Sequence, residues 1–495
     1  MSLQTRFLGA VSLLAILAGC AVGPDFKKPV VPAVSGYTGT PLSNPVGTPG
    51  VIGGDSQRFV EVADVGGDWW TQFHSPALNA LVALSLKNNP DLKAAAAALR
   101  QAHEAASAQS GAFYPQMGAQ FAASHQKQPM TLAPVPDNNS FQYDLFTPQL
   151  AISYAPDIWG LNRRTVESFE AQADAARYQM LATYTTLVNN VIATAVEEAA
   201  TRAQIDSTNR MIETEKKALD ILRYQKDKGY ASGADLAAQV SALAVTETTL
   251  PPLIKQEAKF HDQLAVLTGK FPAEAPPETL KLSDLSLPAD LPVSLPAALV
   301  SQRPDVMQAQ ADLHAASAQI GIAVANRLPN ITLSGNAGST ALALNRLFQP
   351  GTEFWTMAAN LTAPIFDGGT LRHQERAARA AFDASAAQYR STLLGAFQNV
   401  ADTLVALQQD AAAVKAASAA DTAAKTTLEI TERQLRDGYA NTLGLLNAQQ
   451  AYQGAEITLL SAQSTRFADT AALFQALGGG WWHRTDLSDQ DAEHG

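Results

Sequence analysis

Two stretches of the chain carry helix-period patterning for an unusual length. Leu161 to Lys228 contains neither Gly nor Pro, and Thr370 to Asp437 contains only Gly395. Both are rich in Ala, Leu, Gln, Glu and Arg, the strong helix formers. Apolar positions recur at helical spacing, as at Val188, Ile192, Ala195 and Ala199. The pattern predicts long helices over about 161–228 and about 370–437. At 1.5 Å per residue, about 67 residues span roughly 100 Å. A rod of that length cannot fold around a compact globule. It needs lateral neighbours along its whole length, and the abundant alanine lets them approach closely.

Ahead of each rod the period changes from 3.6 to 2. Met117, Ala119, Phe121 and Ala123 alternate, as do Leu150, Ile152 and Tyr154. In the second half Ile331, Leu333, Gly335 and Ala337 alternate, followed by Trp355, Met357, Ala359 and Leu361. These predict strand pairs over about 116–157 and about 329–366. Period two over about ten residues suits a membrane-crossing strand. The connecting segments hold Phe141, Tyr143, Phe146, Phe348, Phe354 and Trp355, candidates for interfacial aromatics. A soluble hairpin beside the helices fits the same alternation.

The two halves read as copies. Asn89-Pro90-Asp91 matches Arg303-Pro304-Asp305, Leu99 matches Leu313 and Pro115 matches Pro329, all at an offset of 214. Trp159-Gly160 matches Gly368-Gly369, Gly229-Tyr230-Ala231 matches Gly438-Tyr439-Ala440, and Leu264 with Gly269 matches Leu473 with Gly478, at an offset of 209. One length change after Pro115 and Pro329 explains both values. A period this long marks a duplicated domain, not a solenoid. The expected organisation is a first repeat over 69–270, a Pro-rich linker over 271–295, a second repeat over 296–480 and a loose tail over 481–495.

The N-terminus adds a compartment. Arg6 precedes an uncharged apolar run from Phe7 to Leu17, and Leu17-Ala18-Gly19-Cys20 follows. Residues 1–19 therefore read as a secretory signal, too short for a spanning helix. Ending on the chain's only cysteine, the segment resembles a bacterial lipobox, which implies acylation of Cys20. Ala21 follows where inner-membrane lipoproteins often carry aspartate, and this implies sorting to the outer membrane. Residues 20–68 are Pro/Gly-rich and read as an extended, lipid-anchored tether. No later segment reaches about 18 consecutive apolar residues, so any membrane crossing must use strands. The net charge of −11 argues against a nucleic-acid partner.

Four strands per chain cannot close a barrel, and lipid does not tolerate open edges. Two chains would give about eight strands, whose interior fills with side chains, while three give about twelve and leave a lumen. If the protein conducts, three chains are the smallest number that works. The rods and their shorter partners would continue it as a helical cylinder.

Several motifs then carry a family resemblance along Cys20 to Trp481: Val22-Gly23-Pro24-Asp25-Phe26, Asn89-Pro90-Asp91-Leu92, Asp157-Ile158-Trp159-Gly160, Leu250-Pro251-Pro252-Leu253, Arg303-Pro304-Asp305-Val306, Phe366-Asp367-Gly368-Gly369 and Ala476-Leu477-Gly478-Gly479-Gly480-Trp481. The chain resembles the TolC-type outer-membrane factors, in the NodT-like lipoprotein branch that serves resistance-nodulation-division (RND) efflux pumps. The resemblance implies a mixed, mainly α fold: a trimeric 12-stranded transmembrane β-barrel continuing into a 12-helix periplasmic α-barrel with an equatorial collar. It also implies a passive exit duct for small molecules, a periplasmic adaptor and an inner-membrane RND transporter as partners, and outer-membrane localisation.

The same resemblance assigns roles at the helix ends. The turns Gly229-Tyr230-Ala231-Ser232 and Gly438-Tyr439-Ala440-Asn441 become adaptor-docking tips, although glycine there also suits a plain helix terminus. Gate positions fall on Leu443 and Asn447, with Gly444 between them and Asp235 at the position equivalent to Gly444 in the first copy. Many relatives carry acidic residues at the positions of Gly444 and Asn447, so this gate is expected to bind cations more weakly. Ordinary helix packing is the competing account of Leu443 and Asn447. The eight histidines show no metal-protease spacing and there is no phosphate loop, so neither an enzyme nor a cofactor is expected. A duct for type I protein secretion and a non-conducting coiled-coil scaffold lipoprotein remain as alternatives.

Overall fold

The computed structural model describes residues 21–34, 36–40, 43–127, 142–277 and 280–484. The signal segment 1–19, Cys20, Phe141 and the tail from 485 onward lie outside the described residues.

The chain is mainly helical, and one order of elements occurs twice. After the short strand β1 (Arg58–Glu61) come α1 (Pro76–Asn88), α2 (Pro90–Ser110), β2 (Gln116–Lys127), β3 (Gln142–Tyr154), α3 (Leu161–Asp227) and α4 (Gly233–Leu267). The second pass runs β4 (Asp290–Val293), α5 (Pro296–Gln302), α6 (Pro304–Ala325), β5 (Asn330–Ser339), β6 (Glu353–Thr362), α7 (Thr370–Arg436) and α8 (Thr442–Ala476). α3 and α7 are each 67 residues, and α4 and α8 are each 35. Pro251 and Pro252 lie inside α4, which continues through them. Among the described residues no helix is long and apolar enough to cross a membrane.

Two compact units divide the chain. One takes Met1–Pro29, Leu99–Ala176 and Ala309–Tyr389; the other takes Val30–Ala98, Arg177–Gln308 and Arg390–Gly495. Each therefore draws on both sequence halves. The repeats at 69–270 and 296–480 are segments of sequence, not separate globules, because elements of both halves meet within each unit: β3 pairs with β5 in the first, and α4 packs on α8 in the second.

The first unit holds a four-stranded sheet in the order β2-β3-β5-β6. All three pairings are antiparallel, and β3–β5 is the pairing that joins the two halves. The second unit has an aromatic core. Trp69 stacks on Phe474 with ring centroids 4.9 Å apart, and Phe73 meets Phe467 at 6.3 Å. β1 and β4 pair in parallel, setting Phe59 opposite the buried Leu291.

Two expectations need correction. The segment read as a tether is largely irregular but pinned along its length, and β1 lies within it. In the first unit, Val22 N–H donates to the Trp159 carbonyl at 2.9 Å, Arg164 reaches Asp25 at 2.6 Å, and Phe26 stacks on His314 at 4.4 Å. In the second, the Tyr37 hydroxyl donates to the Ser294 carbonyl at 3.0 Å. Pro and Gly deny a segment regular structure, but they do not stop its carbonyls and rings from docking. Likewise the described start of the tail is packed. Trp481 Nε1 donates to the Gln302 carbonyl at 2.8 Å, and the Arg484 guanidinium lies over Trp70 at 5.5 Å. The two adjacent indoles give this start of the tail apolar surface to dock.

Candidate functional site

The register of the sheet sorts its side chains onto two unlike faces. Opposite residues in neighbouring strands share a face. One row across all four strands is Ala119, Leu150, Ala337 and Trp355; the next of the same parity is Met117, Ile152, Gly335 and Met357. The alternating apolar positions of all four strands thus fall on one continuous surface. Trp355 is 75% exposed and Met357 81%. Gln120 and Gln149 face each other on the opposite side, where Gln149 Nε2 donates to Gln120 Oε1 at 3.0 Å.

β2 is 12 residues long, which at about 3.3 Å per residue makes a strand of about 40 Å. Tilted by about 45°, such a strand covers a hydrocarbon layer of about 30 Å. Phe121 stacks on Phe146 at 6.5 Å near the hairpin end of the apolar face, with exposed Phe348 in the loop between β5 and β6. β2 and β6 are the edges of this sheet, so within one chain each leaves a row of backbone groups unmatched. Water or another strand must satisfy them.

At the opposite end of the sheet, carboxylates start the rods. Asp157 accepts from the N–H groups of Asn162 and Arg163 at 2.9 and 3.0 Å. Asp367 accepts from Gly369 and Leu371, both at 2.8 Å. Those backbone N–H bonds hold the Asp367 carboxyl below its ordinary pKa. The two Asp-containing motifs are therefore helix starts, each placing an anion at the positive end of a 67-residue dipole.

The far ends of the rods turn as the glycines require. Gly229 and Gly438 both have φ of +81°, and a Cβ at either would meet no atom within 4 Å. Left-handed backbone alone calls for glycine at both. Tyr230 N–H returns to the Gln225 carbonyl at 2.8 Å, and Tyr439 N–H to the Gln434 carbonyl at 2.7 Å. This closes both helices as Schellman turns. Tyr230 and Tyr439 project 84% and 86% exposed, with Ala231 and Ala440 following. Ser232 then caps α4 and Asn441 caps α8, accepting from Asp235 N–H at 3.1 Å and Gly444 N–H at 2.8 Å.

Asp235 and Gly444 occupy the same cap position in their helices. The Asp235 carboxylate accepts from the Ser232 hydroxyl at 2.7 Å and from its N–H at 3.1 Å, which lowers its pKa. Its observed task is capping. Leu443 and Asn447 lie one turn apart on the exposed face of α8, while Leu445 and Ala448 are buried against Leu428. Leu443 and Asn447 are therefore not packing residues within one chain. Among the described residues no hydrogen bond joins them to Asp235.

Arg466 belongs to none of the sequence motifs. It is fully buried in α8 and donates to the carbonyls of Gly53 and Asp55, both at 2.7 Å, and to Gln57 Oε1 at 3.3 Å. Burial pulls its pKa below the ordinary arginine value. The sequence signal for it is that Arg466 is the one cation in α8. Among the described residues no cluster of three or more metal-ligating side chains forms.

Comparison with known proteins gives one consistent answer. The profile of the family described as Outer membrane efflux protein matches residues 81–270 and 295–479. The chain is 28% identical over 498 residues to the Probable efflux pump outer membrane protein TtgC of Pseudomonas putida, covering 99% of each. It is 26% identical to Nodulation protein T of Rhizobium leguminosarum bv. trifolii, covering 94% of this chain and 96% of that one. The Campylobacter jejuni CmeC outer membrane channel shares the fold, with a TM-score of 0.82 at 22% identity over 96% of this chain and 98% of that chain.

Proposed function

The chain belongs to the outer membrane efflux protein family, and from that premise we propose that three copies close one barrel and form the exit duct of a tripartite efflux system. The protein is an outer-membrane efflux component. The observation that carries the duct is the amphipathic four-stranded sheet with two edge strands. Its apolar face suits lipid and its amide-rich face suits water. Each edge needs a neighbour, and twelve strands from three chains are the smallest closed set that leaves a lumen. The 67-residue helices and their partners then extend the bore as a 12-helix cylinder. The twofold order of elements supports an internal duplication, which makes the trimer pseudo-sixfold.

In this reading, the exposed tyrosine turns at Gly229–Ser232 and Gly438–Asn441 dock a periplasmic adaptor, which in turn meets an inner-membrane RND transporter. Cys20 carries the lipid anchor. Leu443 and Asn447 face the bore near the tip, and Asp235 adds to the charge there. Cargo passes chemically unchanged, and the protein is not an enzyme.

Mass measurement of the purified full-length protein in detergent, followed by planar-bilayer recording, tests the proposal. A trimer that conducts is expected; a monomer, or a trimer silent under every opening condition tried, overturns it. Asn447→Asp is expected to raise cation selectivity in the same recordings, and unchanged selectivity removes Asn447 from the lumen. Palmitate labelling lost in Cys20→Ser tests the anchor.

A further inference from the structure

The polar face of the sheet has its own chemistry. One row across the four strands is Gly118, Ala151, Asn336 and Thr356. The amides and hydroxyls of this face bond to one another: Gln149 to Gln120 at 3.0 Å, and the Tyr143 hydroxyl to Gln126 at 3.1 Å. The four strands contain four acidic, basic or histidine side chains: His125, Lys127, Asp144 and Glu353. All four have the parity of the apolar face and gather at its hairpin end, where His125 and Asp144 pair at 2.8 Å. The register thus spends every strand charge on the rim of one surface and leaves the other to neutral groups.

We infer that the bore through the membrane is walled by neutral hydrogen-bonding groups, so that it admits cations, anions and uncharged molecules alike and does not sort cargo by charge. The inference rests on the proposed function, in which the apolar face meets lipid and the amide face lines the lumen. A tube lined by one sign of charge between low-dielectric walls concentrates counter-ions and excludes co-ions by about tenfold or more. Amide and hydroxyl dipoles have no such bias, because each presents both a donor and an acceptor. Selection by charge is then left to the ends of the path.

Single cysteines test this in the full-length protein reconstituted into liposomes. Gln149→Cys and Asn336→Cys place thiols on the amide face, and Leu150→Cys places one on the apolar face. Each is reacted with a cationic and an anionic methanethiosulfonate, and the ratio of the two rates is divided by the ratio for a small free thiol. The unsubstituted chain, whose only cysteine is Cys20, supplies the background. About 0.15 M salt limits distant charges to a reach of about 8 Å. The expected normalised ratio at positions 149 and 336 is within about threefold of unity, with position 150 unreactive; a skew of about tenfold or more towards either reagent overturns the neutral wall while leaving the orientation of the sheet intact. Reaction at position 150 but not at 149 or 336 overturns the orientation, and the proposed function with it. Gln149→Glu combined with Asn336→Cys calibrates the assay: its ratio is expected to move towards the cationic reagent. An unmoved ratio removes position 149 from the bore.

Discussion

Replacing Arg466 with methionine should release the segment that precedes β1. Methionine keeps the apolar stem and ends about where the guanidinium begins, so the substitution removes the donors and leaves a buried space of guanidinium size in their place. Three acceptors lose their partner: the carbonyls of Gly53 and Asp55, each 2.7 Å from the guanidinium, and Gln57 Oε1 at 3.3 Å. A hydrogen bond from a charged donor contributes about 1.5–3 kcal/mol, so the two short ones contribute about 3–6 kcal/mol. Relief of the buried guanidinium's desolvation returns part of this, leaving a net cost of about 3 kcal/mol. At about tenfold per 1.4 kcal/mol, the opened segment becomes about a hundredfold more populated. The bond after Arg58 lies at the start of β1, so trypsin cleavage there reads the population in which the clamped segment and that end of the strand open together, when reclosing outpaces cutting. Arg466→Met should accelerate the cut about a hundredfold, and Arg466→Lys, a point charge that reaches fewer acceptors, about tenfold. Cleavage after exposed Arg346, in the other compact unit, should not change. A rate for Arg466→Met within about threefold of the unsubstituted protein would refute the assignment of Arg466 as the clamp.

Other sites give independent tests. Gly438→Ala should cost about 1–2 kcal/mol through left-handed backbone alone, read as faster hydrogen exchange at Tyr439 and Ala440; unchanged exchange means that the turn does not need φ of +81°. Gly395 is helical with open space around its absent Cβ, so Gly395→Ala should stabilise by about 0.5–1 kcal/mol in thermal unfolding, and a loss would place another copy against that position. Burial, with the Asp469 carboxyl beside it, pushes Asp410 up to about 7. The unfolded carboxyl titrates near about 3.9, so the folded protein binds more protons between these values. Stability from this site is full below about pH 4 and falls as pH rises through about 7. Asp410→Asn should flatten that slope and raise the melting temperature at alkaline pH; an unaltered slope assigns it to another group.

Much of this protein was legible residue by residue. The long runs free of proline, with Gly395 their single glycine, place α3 and α7 because helix formation depends on neighbours within four positions. The alternation from Met117 to Ala123 and from Trp355 to Leu361 names the apolar face of the sheet, because a strand's period is built into its backbone. Gly229 and Gly438 mark the turns for the same local reason. The amide face could have been read from the same alternation, but its neutrality became visible only once the register set Gln149 beside Gln120 and moved His125, Asp144 and Glu353 to the other side.

What the tertiary structure alone decided are the contacts between residues distant in sequence. The pairing of β3 with β5 ties the halves together, Arg466 reaches back to Gly53, Phe26 stacks on His314, and Trp481 docks beside Gln302. None of these partners has a periodicity to betray it. Local patterning records which surfaces a segment must bury or hydrate. Which segment does the burying depends on how the whole chain closes, and that is settled by packing and by pairing of backbone groups, not by any single stretch of sequence.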